Sequence, residues 1–162
     1  MKQINEDYRR FFKDPVRDFK VGGYVPASVP LQDDSSEADM SWTRSTKYGS
    51  ALFFTSNNCS ACDINVPLDC SIKYDLLQFA VFCENYDDDL LIELSSKYPK
   101  VMFYKTNATY IEGGFGIRAV PFILVVNRIG QIIKAGVAGR INSATALLQP
   151  LLNVLNTDNR LI

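Results

Sequence analysis

Four short apolar runs set the limits on what this chain can fold into. Ala51-Leu52-Phe53-Phe54-Thr55 suits a strand covered on both faces, Leu76 to Cys83 reads as a second buried strand, and Val101 to Lys105 and Phe122 to Val126 as a third and a fourth. Gln131 to Ala135 reads as a fifth strand, joined to the fourth through Asn127-Arg128-Ile129-Gly130, a hairpin turn ending in glycine. Helical stretches alternate with the strands. One opens at Cys59 and runs to about Cys70. A second follows Asp87-Asp88-Asp89, whose charge suits a helix N-terminus, and runs to about Tyr98. The last, capped by Asn142 or Ser143, carries Ala146, Leu147, Leu151, Val154 and Leu155 at helical spacing, with a kink expected at Pro150. The order β-α-β-α-β, hairpin, helix predicts an α/β fold with helices layered on a central sheet.

The N-terminal part is less regular. Residues 1–20 read as an extension, with Tyr8, Phe11 and Phe12 on one face of a helical turn or two, and residues 21–162 as the domain. Val21 to Leu31 is punctuated by Gly22, Gly23, Pro26 and Pro30, which predicts irregular or edge-strand structure; Asp33 to Asp39 reads as a polar loop.

The charge balance, 17 basic against 18 acidic residues in 162, offers no basic face for nucleic acid. No stretch approaches the roughly 20 apolar residues of a membrane span. Histidine is absent, which removes Ser–His and Cys–His dyads and imidazole-based zinc sites. Cysteine is what remains for nucleophilic chemistry: Cys59, Cys62, Cys70 and Cys83.

Cys59-Ser60-Ala61-Cys62 follows a buried strand where a helix is expected to begin. A helix N-terminus presents unpaired N–H groups and a positive dipole end, which would bring a thiol from roughly 8.5 towards about 7. Cys59 is then the attacking thiolate, and Cys62, one turn on, resolves the mixed disulfide. Zinc would need two more ligands, and the wide spacing of Cys70 and Cys83 is unlike a second tight pair, so no metal or other cofactor is expected. Ser60-Ala61 carries no positive charge and Asp63 adds a negative one, which favours reduction or exchange over strong oxidation.

Pro67, five residues after Cys62, and Phe115-Gly116-Ile117-Arg118-Ala119-Val120-Pro121-Phe122 resemble the active-site-helix proline and the cis-proline stretch of thioredoxin-like oxidoreductases. The extra helix and strand at about Asp87 to Lys105, with the Gly/Pro-containing entry near Gly22 to Pro30, resemble the TlpA/ResA branch, which includes MauD-type proteins. The resemblance implies a three-layer thioredoxin-like fold with a mixed sheet and an insertion between the CxxC helix and the cis-proline loop. It implies that Pro121 is cis and lies beside Cys59, and that Val120, Pro121, Ser60 and Ala61 meet substrate. The partners implied are protein thiol or disulfide substrates and a redox partner protein. Members of that branch are commonly membrane-tethered and act outside the cytoplasm, so an extracytoplasmic location is expected here. The chain departs from the pattern at Asn58, where many relatives have Trp, and at Phe53, where thioredoxins bury an Asp.

Two other readings fit the residues: a thioredoxin-fold interaction or maturation module with incidental cysteines, and a peroxiredoxin-type peroxidase. The latter needs Thr three residues before its cysteine, where this chain has Ser56. Cys70 is expected roughly 16 Å along the helix from Cys59 and Cys83 back near the active-site edge, too far apart for a bridge. Both are expected to be inert thiols packed as small apolar residues.

Overall fold

The computed structural model describes residues 20–160, with side chains through 158, so the expected N-terminal extension with Tyr8, Phe11 and Phe12 lies outside the described residues apart from Lys20. A small antiparallel hairpin comes first, β1 (Ser28–Pro30) with β2 (Glu37–Asp39), followed by a 3-10 turn at Ser41–Arg44. The main elements are then β3 (Ser50–Ser56), α1 (Asn65–Lys73), β4 (Gln78–Glu84), α2 (Asp88–Lys97), β5 (Val101–Thr106), α3 (Ala108–Phe115), β6 (Phe122–Val126), β7 (Ile132–Val137) and α4 (Ile141–Arg160).

The five-stranded sheet has the order β5-β4-β3-β6-β7. β3 pairs in parallel with β4 and antiparallel with β6, so the sheet is mixed, as expected. Every residue of β3 is buried, because the strand is covered on both faces. Ala51 and Phe53 point to the layer holding Val66 and Cys70 of α1 and Ala144, Leu148, Leu151 and Leu155 of α4. Leu52 and Phe54 point to the opposite layer, with Val29 and Ala38 of the hairpin and Ile111 and Phe115 of α3. There Phe115 meets Phe54 and Phe82 edge-on, both at 4.9 Å between ring centres. This aromatic contact anchors the end of α3, which Gly116 closes in the left-handed conformation (φ 70°). The chain leaving that anchor leads to Pro121.

Several expectations need correction. α1 begins at Asn65, not at Cys59. Asp63 starts it: its carboxylate accepts the Asn65 N–H at 2.9 Å and its carbonyl the Val66 N–H at 3.1 Å. A side chain that competes for backbone donors favours that boundary. Pro67 therefore falls in the first turn, where a missing N–H costs nothing. Helix α3 was not expected. Only Ile111 and Phe115 of it are buried, and Gly113-Gly114 weakens its pattern; Asn107 caps it by accepting the Tyr110 N–H at 3.1 Å. Glu37–Asp39 is a strand rather than loop, because Ser35 in the left-handed region (φ 66°) folds the segment back onto β1. α4 begins at Ile141, before both expected caps, and continues through Pro150. Its buried stripe is Ala144, Leu148, Leu151 and Leu155; Ala146 and Val154 face out.

The insertion of α2 and β5 is found where expected, with β5 as a parallel edge strand beside β4. The turn between β6 and β7 is also as expected. The Asn127 side chain accepts the Ile129 and Gln131 N–H groups at 3.2 and 2.9 Å, and Gly130 takes φ 86°. Gly22 to Val25 runs along this end of β7, with the Gly22 N–H donating to Ile132 O at 2.7 Å and the Val25 N–H to Gly130 O at 2.9 Å. The Gly/Pro entry thus serves as edge structure.

Candidate functional site

β3 ends at Ser56, and the next eight residues carry the two cysteines across the end of the sheet before α1 begins. The segment is held by short-range hydrogen bonds. Ser56 accepts the Asn58 N–H through Oγ at 3.2 Å and the Cys59 N–H through its carbonyl at 3.4 Å. The Cys62 N–H closes a turn on the Cys59 carbonyl at 3.2 Å. Ser60 and Ala61 sit exposed at the tip of that turn, while Cys59 and Cys62 are half-buried. The cysteines therefore share a turn that precedes the helix, and the N–H groups of Asn65 and Val66 that open the helix are taken by Asp63.

From the other side comes the loop after α3. The Val120–Pro121 peptide bond is cis. The Cys59 thiol donates to the Val120 carbonyl at 3.7 Å. Sequence positions 61 residues apart are thus brought into contact. All six candidate residues, Cys59, Ser60, Ala61, Cys62, Val120 and Pro121, lie on one rim of the sheet.

The two thiols adjoin one another. Burial pushes the Cys62 thiol up from its ordinary value, and the neighbouring Cys59 thiol acts the same way; the Ser56 backbone and the Thr55 hydroxyl pull it down. Cys62 is thus a reluctant proton donor, as suits a resolving thiol. Cys70 and Cys83 are fully buried and unbridged. Burial holds Cys70 up at about 11 and Cys83 up at about 12. Cys83 pairs in register with Thr55 near the rim, whereas Cys70 sits in the last turn of α1, at the far end.

No protein-family model matches the chain, and no curated protein matches it in sequence. Solved structures do. One assigned as the thiol:disulfide interchange protein DsbE of Chlorobium tepidum superimposes with a TM-score of 0.60 at 19% identity, covering 85% of this chain and 99% of its own. The thio-disulfide isomerase of Thermus thermophilus gives 0.55 at 18%, covering 82% and 96%. The thioredoxin domain of a thiol-disulfide oxidoreductase of Bacteroides vulgatus gives 0.54 at 11%, covering 80% and 98%. The chain has the thioredoxin fold. Within that fold the CxxC turn and the cis-proline loop face each other across the rim described above.

Three residues at the thioredoxin-fold rim were not singled out from sequence. Gly139, in the loop before α4, leaves space that a Cβ would fill at 3.2 Å from the Ala61 carbonyl and 3.4 Å from Pro121 Cγ. Tyr86, 6% exposed, follows β4 and stands beside Thr55, Cys83 and Cys62. Thr55 lies beneath the cysteines, buried at 3% exposure. A glycine, a tyrosine and a threonine carry no motif in isolation; only the fold brings them to the thiols.

Proposed function

We propose that this protein is a thiol–disulfide oxidoreductase that reduces or exchanges disulfides in protein substrates. The observation that carries this is the contact of the Cys59 thiol with the Val120 carbonyl at a cis-proline, with Cys62 one turn away. The Cys59 thiolate attacks one sulfur of a substrate disulfide, forming a mixed disulfide and releasing the other substrate sulfur as a thiolate, which takes up a proton. Cys62 then loses its proton and attacks Cys59 Sγ. The Cys59–Cys62 bond forms, the bond to substrate breaks, and the second substrate thiol leaves. Two electrons pass from the protein dithiol to the substrate, and a dithiol partner protein restores them.

The rim suits an extended chain as substrate. Ser60 and Ala61 are exposed beside Cys59, and half-buried Val120 brings its backbone to the rim for a peptide to lie against, with Pro121 buried behind it. Among the described residues no helix is long and apolar enough to cross a membrane. We place the activity outside the cytoplasm, where protein disulfides persist long enough to need exchange.

Insulin-disulfide reduction tests the reading. Cys59→Ser should reduce activity to background. Cys62→Ser should accumulate protein–substrate mixed disulfides, visible by mass and reversed by dithiothreitol. Full turnover by either variant would sink the proposal.

A further inference from the structure

Thr55 occupies the next-to-last position of β3, a strand whose interior is otherwise Ala51, Leu52, Phe53 and Phe54. Its side chain lies on the face of Ala51 and Phe53, in register with Cys83. That is the face covered by α1, directly under the turn that carries Cys62. The Thr55 hydroxyl is buried, and its Oγ1 makes no hydrogen bond. Burying an unpaired hydroxyl is unfavourable, and a valine would fill the same volume without that penalty. Of the buried side-chain polar atoms left without a partner among the described residues, this one adjoins a thiol of the CxxC turn.

The resolving step supplies the missing partner. A thiol is a poor hydrogen-bond acceptor, but Cys62 must become a thiolate before it can attack Cys59, and a thiolate is a strong one. Groups facing Cys62 are the Ser56 backbone and the Thr55 hydroxyl from β3, Cys59 from the turn, and the Tyr86 phenol beyond β4, which itself stands near Cys83 and Asp63. Cys59, Cys83, Tyr86 and Asp63 carry no positive charge in any state. None can neutralise a second anion. Only neutral donors can receive it, and of the two hydroxyls nearby, Tyr86 and Thr55, it is the buried, unpartnered Thr55 hydroxyl that lies within hydrogen-bonding reach of Cys62.

Building on the oxidoreductase reading above, we propose that the Thr55 hydroxyl is the hydrogen-bond donor that receives the Cys62 thiolate as it forms for the resolving attack. The Cys62 proton leaves to solvent, and the Thr55 O–H turns onto the sulfur. The Cys59–Cys62 bond then forms as the substrate thiolate departs, which frees the hydroxyl again. Thr55 therefore acts on the second half of the exchange and leaves the first half, capture by Cys59, untouched.

The test reads Cys62 directly. In the full chain carrying Cys59→Ser, iodoacetamide labelling of Cys62 is followed against pH by peptide mass, with Thr55 intact, as Thr55→Val and as Thr55→Ser. The high values of Cys70 and Cys83 keep them out of the working window. Thr55→Val should move the labelling midpoint up by about one pH unit, a roughly tenfold loss of thiolate below the midpoint. Thr55→Ser, which keeps the hydroxyl, should restore it. In the Cys59/Cys62 background, mixed-disulfide resolution should slow about tenfold in Thr55→Val while capture stays at the parent rate. Thr55→Ala provides a second hydroxyl-free side chain if the valine variant does not fold. An unchanged midpoint in either folded variant, or a serine variant shifted as far as valine, overturns the proposal. The midpoint needs no substrate, so it stands apart from the oxidoreductase reading, which fails instead if Cys59→Ser alone keeps reducing insulin.

Discussion

Four cysteines divide into two pairs with opposite fates. Cys59 and Cys62 occupy a turn at the rim, half-exposed and in contact with each other and with the cis-proline loop. Cys70 and Cys83 are fully buried in the layer between sheet and helices, among Phe53, Val66, Phe79 and Val81. The residue type is the same; solvent access and proximity to a partner differ. A thiol becomes a nucleophile only where its anion can be solvated or hydrogen-bonded. At the rim that condition is met, and in the core the same group behaves as a small apolar side chain.

The largest expected contrast is in reactivity. With Cys83 held at about 12, fewer than roughly one in ten thousand of its thiols is ionised near neutral pH. Under native conditions iodoacetamide should label Cys59 within minutes and leave Cys70 and Cys83 unlabelled until the chain is denatured. Thiol counting on oxidised, denatured protein should find two free cysteines, Cys70 and Cys83. Native labelling of Cys83 at a rate near that of Cys59 would erase the distinction between the pairs.

The second contrast is in how stability depends on pH. The folded state raises Cys83 from an ordinary value of 9.0 to about 12, so it holds this proton more tightly than the unfolded chain does. Between about pH 9 and 12 the native state binds more protons, and stability falls as pH rises. Below pH 9 both states are protonated and the effect vanishes. At pH 10 the Cys83 contribution costs about 1.4 kcal/mol, and Cys70, raised to about 11, adds nearly as much in the same direction. Urea denaturation at pH 8 and 10 should show this loss, and Cys83→Ala should shrink the difference between the two pH values. A difference unaltered by that substitution would show that Cys83 ionises freely.

A third contrast separates stability from activity. Cys83→Ala deletes one buried sulfur and should cost about 1 kcal/mol with insulin reduction intact when assayed well below the melting temperature. The smallest effect belongs to the rim's supporting loop. Gly139→Ala places a Cβ at 3.2 Å from the Ala61 carbonyl, a crowding that a shift of a few tenths of an ångström can relieve. It should lower disulfide reduction by about twofold to fivefold with less than about 1 kcal/mol change in stability. Loss of stability without loss of activity would place Gly139 with the core rather than with the rim.

The strands were legible because burial on both faces writes a continuous apolar run into the chain, as in Ala51 to Phe54 and Phe122 to Val126. The CxxC pair and Pro121 were legible because their chemistry needs those residue types at fixed places. Helix α3 was not, since a helix with two buried residues and two adjacent glycines leaves almost no periodic trace. Nor was the start of α1, which turned on a contest between Cys59 and Asp63 as helix openers that Asp63's carboxylate decided locally.

By itself, then, the sequence determined an α/β layering, a dithiol turn after a buried strand and a proline at the head of another. These follow from local patterning and covalent spacing. Only the tertiary structure decided that Val120 meets Cys59 across 61 residues, that Gly139 makes room beneath Ala61, and that Thr55 lies unpaired below Cys62. Such contacts depend on strand order and register. Placing β6 antiparallel beside β3 brings the start of one strand to the end of the other, and no neighbouring residues encode that pairing.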